Sequence, residues 1–150
     1  MYTRILVPLD GSKLAEVALP HAVTLAKQSK GTVVLLRVTQ PVTAMVMPEA
    51  AYVDWDRIQA EIEAEARAYL ADVSARLAAE GLAVQTQLKT ADPAEAIIET
   101  AKTGGADLIV MATHGRSGLG RWVLGSVADR VVRAATAPVL LIRPAEMPGE

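Results

Sequence analysis

Between the apolar runs Leu108-Ile109-Val110-Met111 and Val139-Leu140-Leu141-Ile142 stands a stretch with the means to hold phosphate: Ala112-Thr113-His114-Gly115-Arg116-Ser117-Gly118-Leu119-Gly120-Arg121-Trp122-Val123-Leu124-Gly125-Ser126. Glycine lets main-chain N–H groups come close to a ligand, and a helix opening after Ser126 adds unpaired donors and the positive end of a dipole. Ser126 also has an ordinary structural role open to it, because Ser126-Val127-Ala128-Asp129 has capping-box spacing. The glycines at 115, 118, 120 and 125, with arginines at 116 and 121, exceed what a connection of roughly 2–6 residues needs.

The spacing excludes the commoner phosphate motifs. No Gly-x-x-x-x-Gly-Lys-Ser/Thr occurs, and Gly118-Leu119-Gly120 lacks the third glycine of a dinucleotide fingerprint and follows a late strand. A P-loop kinase or a Rossmann dehydrogenase is therefore disfavoured. His21 and His114 are the two neutral-pH bases, and no third residue orients either in the sequence. The spacing puts His21 on a helix near the core and His114 in a tight turn. Ser12, Ser117 and Ser126 lack a Gly-x-Ser-x-Gly elbow, so no catalytic residue is nominated. Asp10, at the end of the first strand, suits either a ribose hydroxyl or magnesium water, or a turn before a helix. No metal-ligand cluster stands out. A receiver domain would need an acceptor Asp at the end of the third strand, where this chain has Leu88-Lys89-Thr90.

These residues must be positioned by a scaffold, and composition says which kind. A chain of 150 residues is expected to form one domain, residues 1–150, burying on the order of 70% of its unfolded surface. With no cysteine, disulfides and thiolate metal sites are excluded. No apolar run reaches membrane-spanning length, and Met1-Tyr2-Thr3-Arg4 does not open a signal peptide, so a cytoplasmic location is expected. Net charge of −2 and 3% aromatics supply neither a basic footprint nor stacking platforms for nucleic acid. A core of Val, Leu, Ile and Ala suits a buried parallel sheet under Ala-rich helices.

Ile5-Leu6-Val7 reads as the first strand, followed by the turn Pro8-Leu9-Asp10-Gly11 and a helix capped by Ser12 that runs to about Lys30 and closes at Gly31. Leu14, Val17, Ala18, His21 and Leu25 share the expected inner face of that helix. Val33 to Val38 is the second strand. Residues 40–55, with Pro41, Met45, Met47, Pro48, Tyr52 and Trp55, read as a packed loop, with a lid or dimer contact as alternatives. A second helix starts near Asp56 with Ile58, Ile62, Ala66, Tyr69, Leu70, Val73 and Leu77 at helical spacing, and stops at Gly81. Val84 to Leu88 alternates as an edge strand does, Asp92-Pro93 caps a third helix, and Leu108 to Ala112 is the fourth strand. A helix from about Val127 to Ala135 and a strand after Pro138 complete the chain. The alternation predicts an α/β fold: a doubly wound, open, parallel five-stranded sheet of order 3-2-1-4-5 with helices on both faces. Its switch point lies between strands one and four, where ligands of such sheets bind.

The stretch from Met111 to Gly115, Gly125-Ser126-Val127-Ala128-Asp129 and Pro138 to Ile142 resembles the universal stress protein family, as do Arg4 to Ser12 and Asp92 to Ile97. The ATP-binding branch of that family carries Gly-x-x-Gly, nine residues, then Gly-Ser/Thr. Gly115 and Gly125-Ser126 keep that spacing, with Ala112 in place of the first glycine. The resemblance implies that Pro8, Leu9 and Asp10 border ribose and adenine, that Val38 holds the adenine edge, and that Met111 and Ala112 line base and ribose. Gly115, Gly125, Ser126 and Val127 then bind the phosphates, beside Arg116. If position 112 needs positive φ, its alanine costs roughly 1–2 kcal/mol.

The expected function is that of a regulatory, stress-response module binding ATP with Mg²⁺. A slow ATPase and a nucleotide-free dimeric interaction protein are the alternatives. A homodimer through the fifth strand, Val139, Leu140, Leu141 and Ile142, is expected from its short apolar edge.

Overall fold

The structure is a computed structural model and describes residues 1–42, 53–113 and 124–145. Strands β1 (Arg4–Leu9), β2 (Thr32–Thr39), β3 (Ala83–Thr90), β4 (Leu108–Ala112) and β5 (Val139–Ile142) form one sheet in the order β3-β2-β1-β4-β5. Every pairing is parallel, as the sequence reading expects. Helices α1 (Leu19–Ser29), α2 (Trp55–Ala78), α3 (Pro93–Thr103) and α4 (Leu124–Ala134) connect the strands.

Strand side chains alternate between two cores because successive residues point to opposite faces. On one face Ile5, Val7, Leu9, Val33, Leu35, Leu108, Val110 and Ala112 pack with α1 and with Leu70, Val73 and Leu77 of α2. On the other, Leu6, Val34, Leu36, Val38, Ile109 and Met111 pack with α3 and α4. Each fully buried aliphatic side chain contributes on the order of 1.5–3 kcal/mol. The β-branched and leucine content of the central strands therefore settles the sheet.

Helices α2 and α3 begin where their carboxylates say they should. Asp54 accepts from Arg57 N at 3.1 Å and Asp92 from Glu95 N at 3.1 Å, with Pro93 in the first turn. Gly81 takes φ +86° after α2, a left-handed turn that suits glycine.

The first helix departs from expectation. A 3₁₀ turn, Ala15–Ala18, precedes α1, and Pro20 stands in α1's first turn. Ser12 Oγ accepts from Ala15 N at 3.2 Å, so Ser12 holds the start of the short turn and does not cap α1. Three residues per turn at the start rotate everything that follows. Ala15, Ala18, Leu19, Ala22, Val23 and Ala26 are buried, Leu14, Val17 and Leu25 only half-buried, and His21 is exposed. His21 is thus not a core residue. Lys30, not Gly31, takes the left-handed conformation that ends α1, at φ +56°. Gly31 serves closeness instead, since a Cβ there would meet Thr3 O at 2.6 Å.

At its N-terminal end the sheet is tied off. Asp107 accepts from Thr3 N, Thr3 Oγ1 and Arg4 N at 2.9, 3.0 and 3.0 Å, and Arg4 Nε donates to Gly104 O at 2.6 Å. Burial works against the charge on Asp107, but the main-chain N–H groups of Thr3 and Arg4 and the Thr3 hydroxyl outweigh it and hold the carboxyl below its usual range.

Candidate functional site at the strand ends

Main-chain direction locates an opening at the other end. Thr3 O accepts from Thr32 N and Arg4 O from Asp107 N, so odd residues of β1 turn their amides to β2 and even residues to β4. The β1–β4 ladder then stops after Ile5↔Leu108 and Leu6↔Ile109, although both strands continue. Pro8 falls on the β4-facing side. It has no N–H to extend that ladder, which is how a proline is accommodated in a central strand.

The neighbours turn toward the same gap. On β4, Ile109 N donates to Pro138 O and Thr113 N to Ile142 O, so Ile109, Met111 and Thr113 face β5 while Val110 and Ala112 face β1. On β2, Thr32 N faces β1 and Thr39 O faces β3, which turns the main chain of Val38 to the β1 side. Pairing of β2 with β1 ends at Arg37, one residue earlier. Pro8, Val110 and Ala112 therefore turn main-chain groups to the gap between the C-terminal ends of β1 and β4, and Val38 lies just past the end of the β1–β2 pairing, on the other side of β1.

Side chains divide between the two sides of this crevice. Val38, Met111 and Val127 belong to the α3–α4 core, whereas Leu9 and Ala112 bury their side chains in the opposite core. Ala112 can therefore offer the crevice main chain alone, whereas Leu9, an odd residue of β1, turns its main chain to β2 and pairs with Arg37. Lys30 is the only non-glycine with positive φ among the described residues, so Ala112 carries no backbone strain from lacking the glycine.

Asp10 turns the chain beyond β1. Its Oδ1 accepts from Ser12 N at 2.8 Å and from Ser12 Oγ at 2.5 Å, while no described residue donates to Oδ2. The turn reading of Asp10 holds, and among the described residues its Oδ2 is left without a donor.

Helix α4 begins at Leu124, earlier than the expected Val127. Gly125 and Ser126 consequently lie inside its first turn, so Ser126 is not the cap. That turn carries no acidic residue, unlike those of α2 with Asp56 and α3 with Glu95. The described first turn of α4 thus supplies no carboxylate of its own to the helix dipole. His114, Gly115, Arg116, Gly118, Gly120 and Arg121 lie outside the described residues, as does most of the 40–55 connection. Val42 N, at its near end, donates to Gln59 Oε1 at 3.0 Å.

Two polar groups beside the crevice went unnoticed in the sequence. Thr113 Oγ1 is buried with no partner among the described residues, and so is Arg37 Nε. Arg37 had a signal, being the one charge in the run Val33 to Val38. No three described His, Cys, Asp or Glu residues could together hold a metal ion. A separate cavity of about 530 Å³ lies between α1 and α2, but its cations Lys27 and Arg76 are paired with Glu80 and Glu16.

The profile of the universal stress protein family matches residues 1–143. The chain belongs to that family. Universal stress protein MJ0531 of Methanocaldococcus jannaschii is 34% identical over 143 residues, spanning 95% of this chain and 83% of that protein. The solved structure of MJ0577, described as a structure-based assignment of biochemical function, superposes with a TM-score of 0.82 at 27% identity over 98% of this chain and 99% of that one. An Archaeoglobus fulgidus universal stress protein solved in complex with dAMP gives a TM-score of 0.66 at 25% identity over 94% and 98%. Among the described residues no helix of this universal stress protein is long and apolar enough to cross a membrane.

Proposed function

We propose that this universal stress protein binds an adenine nucleotide, ATP with Mg²⁺, in the crevice between the ends of β1 and β4 and acts as a regulatory module. The observation that carries this reading is the early end of the β1–β4 ladder, which leaves main-chain groups of Pro8 and Ala112 facing one gap, with Val38 just past the end of the neighbouring β1–β2 pairing. Main-chain donors and acceptors at Val38 suit the edge of adenine, and the open Oδ2 of Asp10 suits a ribose hydroxyl or a magnesium-bound water. Leu9, Met111 and Ala112 border base and ribose. The phosphates go to Gly115, Arg116 and the positive end of α4 at Gly125, Ser126 and Val127. The relative solved with dAMP supports the choice of an adenine nucleotide.

Nothing described beside the crevice activates a water, so turnover stays well below the roughly 10 s⁻¹ of an ordinary enzyme. Leu140 and Leu141 are 37% and 39% exposed on the edge strand β5, which supports a homodimer formed by pairing β5 with its copy. Sedimentation equilibrium then gives twice the chain mass of 15.9 kDa. Leu141→Pro, which removes an N–H donor from that strand, shifts it to monomer. Calorimetric titration with MgATP tests the site, together with chromatography of nucleotide released by denaturing the purified protein. A chain that carries none and takes up none is instead a nucleotide-free interaction protein.

A further inference from the structure

Arg37 stands near the end of β2 on the α1–α2 side, with a buried Nε that has no partner and no carboxylate within ion-pair distance among the described residues. Leaving a buried guanidinium nitrogen without a partner is costly, so the surroundings of this half-buried side chain show what it does. They hold two contacts. The guanidinium lies over the Tyr69 ring at 5.6 Å, and a Cβ built on Gly11 would meet Arg37 Nη1 at 2.6 Å. Gly11 has φ +86°, so the backbone of the turn after β1 rests directly on the guanidinium.

The contacts close into a ring. Tyr69 Oη donates to Glu16 Oε2 at 2.9 Å, and Arg76 Nη2 donates to Glu16 Oε1 at 2.9 Å. Burial, and then this bond to Glu16, push the phenol above its ordinary range, which keeps Tyr69 a neutral donor. Glu16 belongs to the 3₁₀ turn, tied back through Ala15 N to Ser12 Oγ, which itself donates to Asp10 Oδ1. The segment from Asp10 to Glu16 is thus held at Gly11 by Arg37 and at Glu16 by Tyr69 and Arg76.

We propose that Arg37 is a positioning residue: it sets the height of the Asp10-Gly11-Ser12 turn so that Asp10 Oδ2 meets the ribose hydroxyls, and so decides whether the site distinguishes a ribonucleotide from one without those hydroxyls. This rests on the nucleotide reading of the same crevice. Arg37 touches no nucleotide itself. Its effect passes through Asp10, and the signature is dependence on the sugar, not a uniform loss of affinity.

The experiment is calorimetric titration of the full chain with MgATP and with Mg-2′,3′-dideoxy-ATP. Asp10→Asn keeps Oδ1 for Ser12 and removes the acceptor at Oδ2, so it lowers ATP affinity about tenfold and leaves the dideoxy affinity nearly unchanged. Arg37→Met reproduces that selective loss, and the double variant is no worse than Asp10→Asn alone. Arg37→Lys, which keeps the charge but not the guanidinium over Tyr69, shows the same direction and replaces Arg37→Met in the series if circular dichroism finds that variant unfolded. Equal losses for both nucleotides, or a wild-type ratio of the two affinities, overturn the inference while the nucleotide reading stands. A wild-type protein that binds neither nucleotide overturns both.

Discussion

The two ends of the sheet are built from the same strands and finished in opposite ways. At the N-terminal end, Asp107 gathers three donors from Thr3 and Arg4, Arg4 reaches Gly104, and Gly31 comes so close to Thr3 that no side chain fits. At the C-terminal end, the ladder between β1 and β4 stops early, Pro8 supplies no N–H, and Asp10 Oδ2 takes no donor from the described residues. Polar main chain is normally paired when it leaves water, so an end left unpaired by the protein's own residues is the end available to a ligand. Changes at one end ought to cost stability, and changes at the other ought to cost binding.

The largest expected break lies at the C-terminal end. On the proposed nucleotide reading, Gly115→Val puts a branched side chain at the proposed phosphate site, so MgATP binding is expected to be abolished in calorimetry while circular dichroism stays that of the wild type. Unaltered binding there moves the phosphates elsewhere. Ser126→Ala is milder. It removes one hydroxyl beside the proposed phosphates and weakens ATP by about 1.5–3 kcal/mol, roughly 10- to 150-fold. Ser126 sits inside α4, so no helix cap is lost with its hydroxyl.

The N-terminal end sharpens the contrast with the reverse pattern. Asp107→Ala frees the donors of Thr3 and Arg4 and lowers stability by about 1–2 kcal/mol, a melting temperature roughly 3–6 °C lower, with ATP affinity held within about twofold. A matching loss of affinity would show that the two ends are coupled. The smallest effect is in pH. Because the folded carboxyl of Asp107 titrates below its usual range, its contribution is complete above about pH 4–5 and fades as pH falls through the lowered folded value. The stability gap between wild type and Asp107→Ala accordingly narrows in acid, as denaturant melts at stepped pH would record.

The scaffold could be read from local signals where those signals are strong. Apolar strands, Asp92-Pro93 at a helix start and Gly81 at a helix stop each act over a few residues, and the structure keeps them. The first helix could not be read that way, because a single 3₁₀ turn at Ala15–Ala18 shifts the phase of the face behind it and puts His21 in water. Lys30 takes a conformation that propensity assigns to Gly31, since Gly31 is needed for its contact with Thr3. The start of α4 moved by three residues, which changed Ser126 from a cap to a first-turn residue.

By itself the sequence determined the class of sheet, its strand order and the end at which to look, because hydrophobic period, punctuation by Gly and Pro, and handed crossovers act through the chain itself. It also named the residues Pro8, Asp10, Val38, Met111, Ala112 and Gly125-Ser126-Val127 through family likeness. Tertiary structure alone decided which of these turn main chain to the crevice and which bury a side chain, where the β1–β4 ladder stops, and that Arg37 underlies the Asp10 turn. Those outcomes depend on register between strands and on contacts between residues far apart in sequence, here Arg37 with Gly11 and Tyr69 with Glu16, which no local pattern encodes.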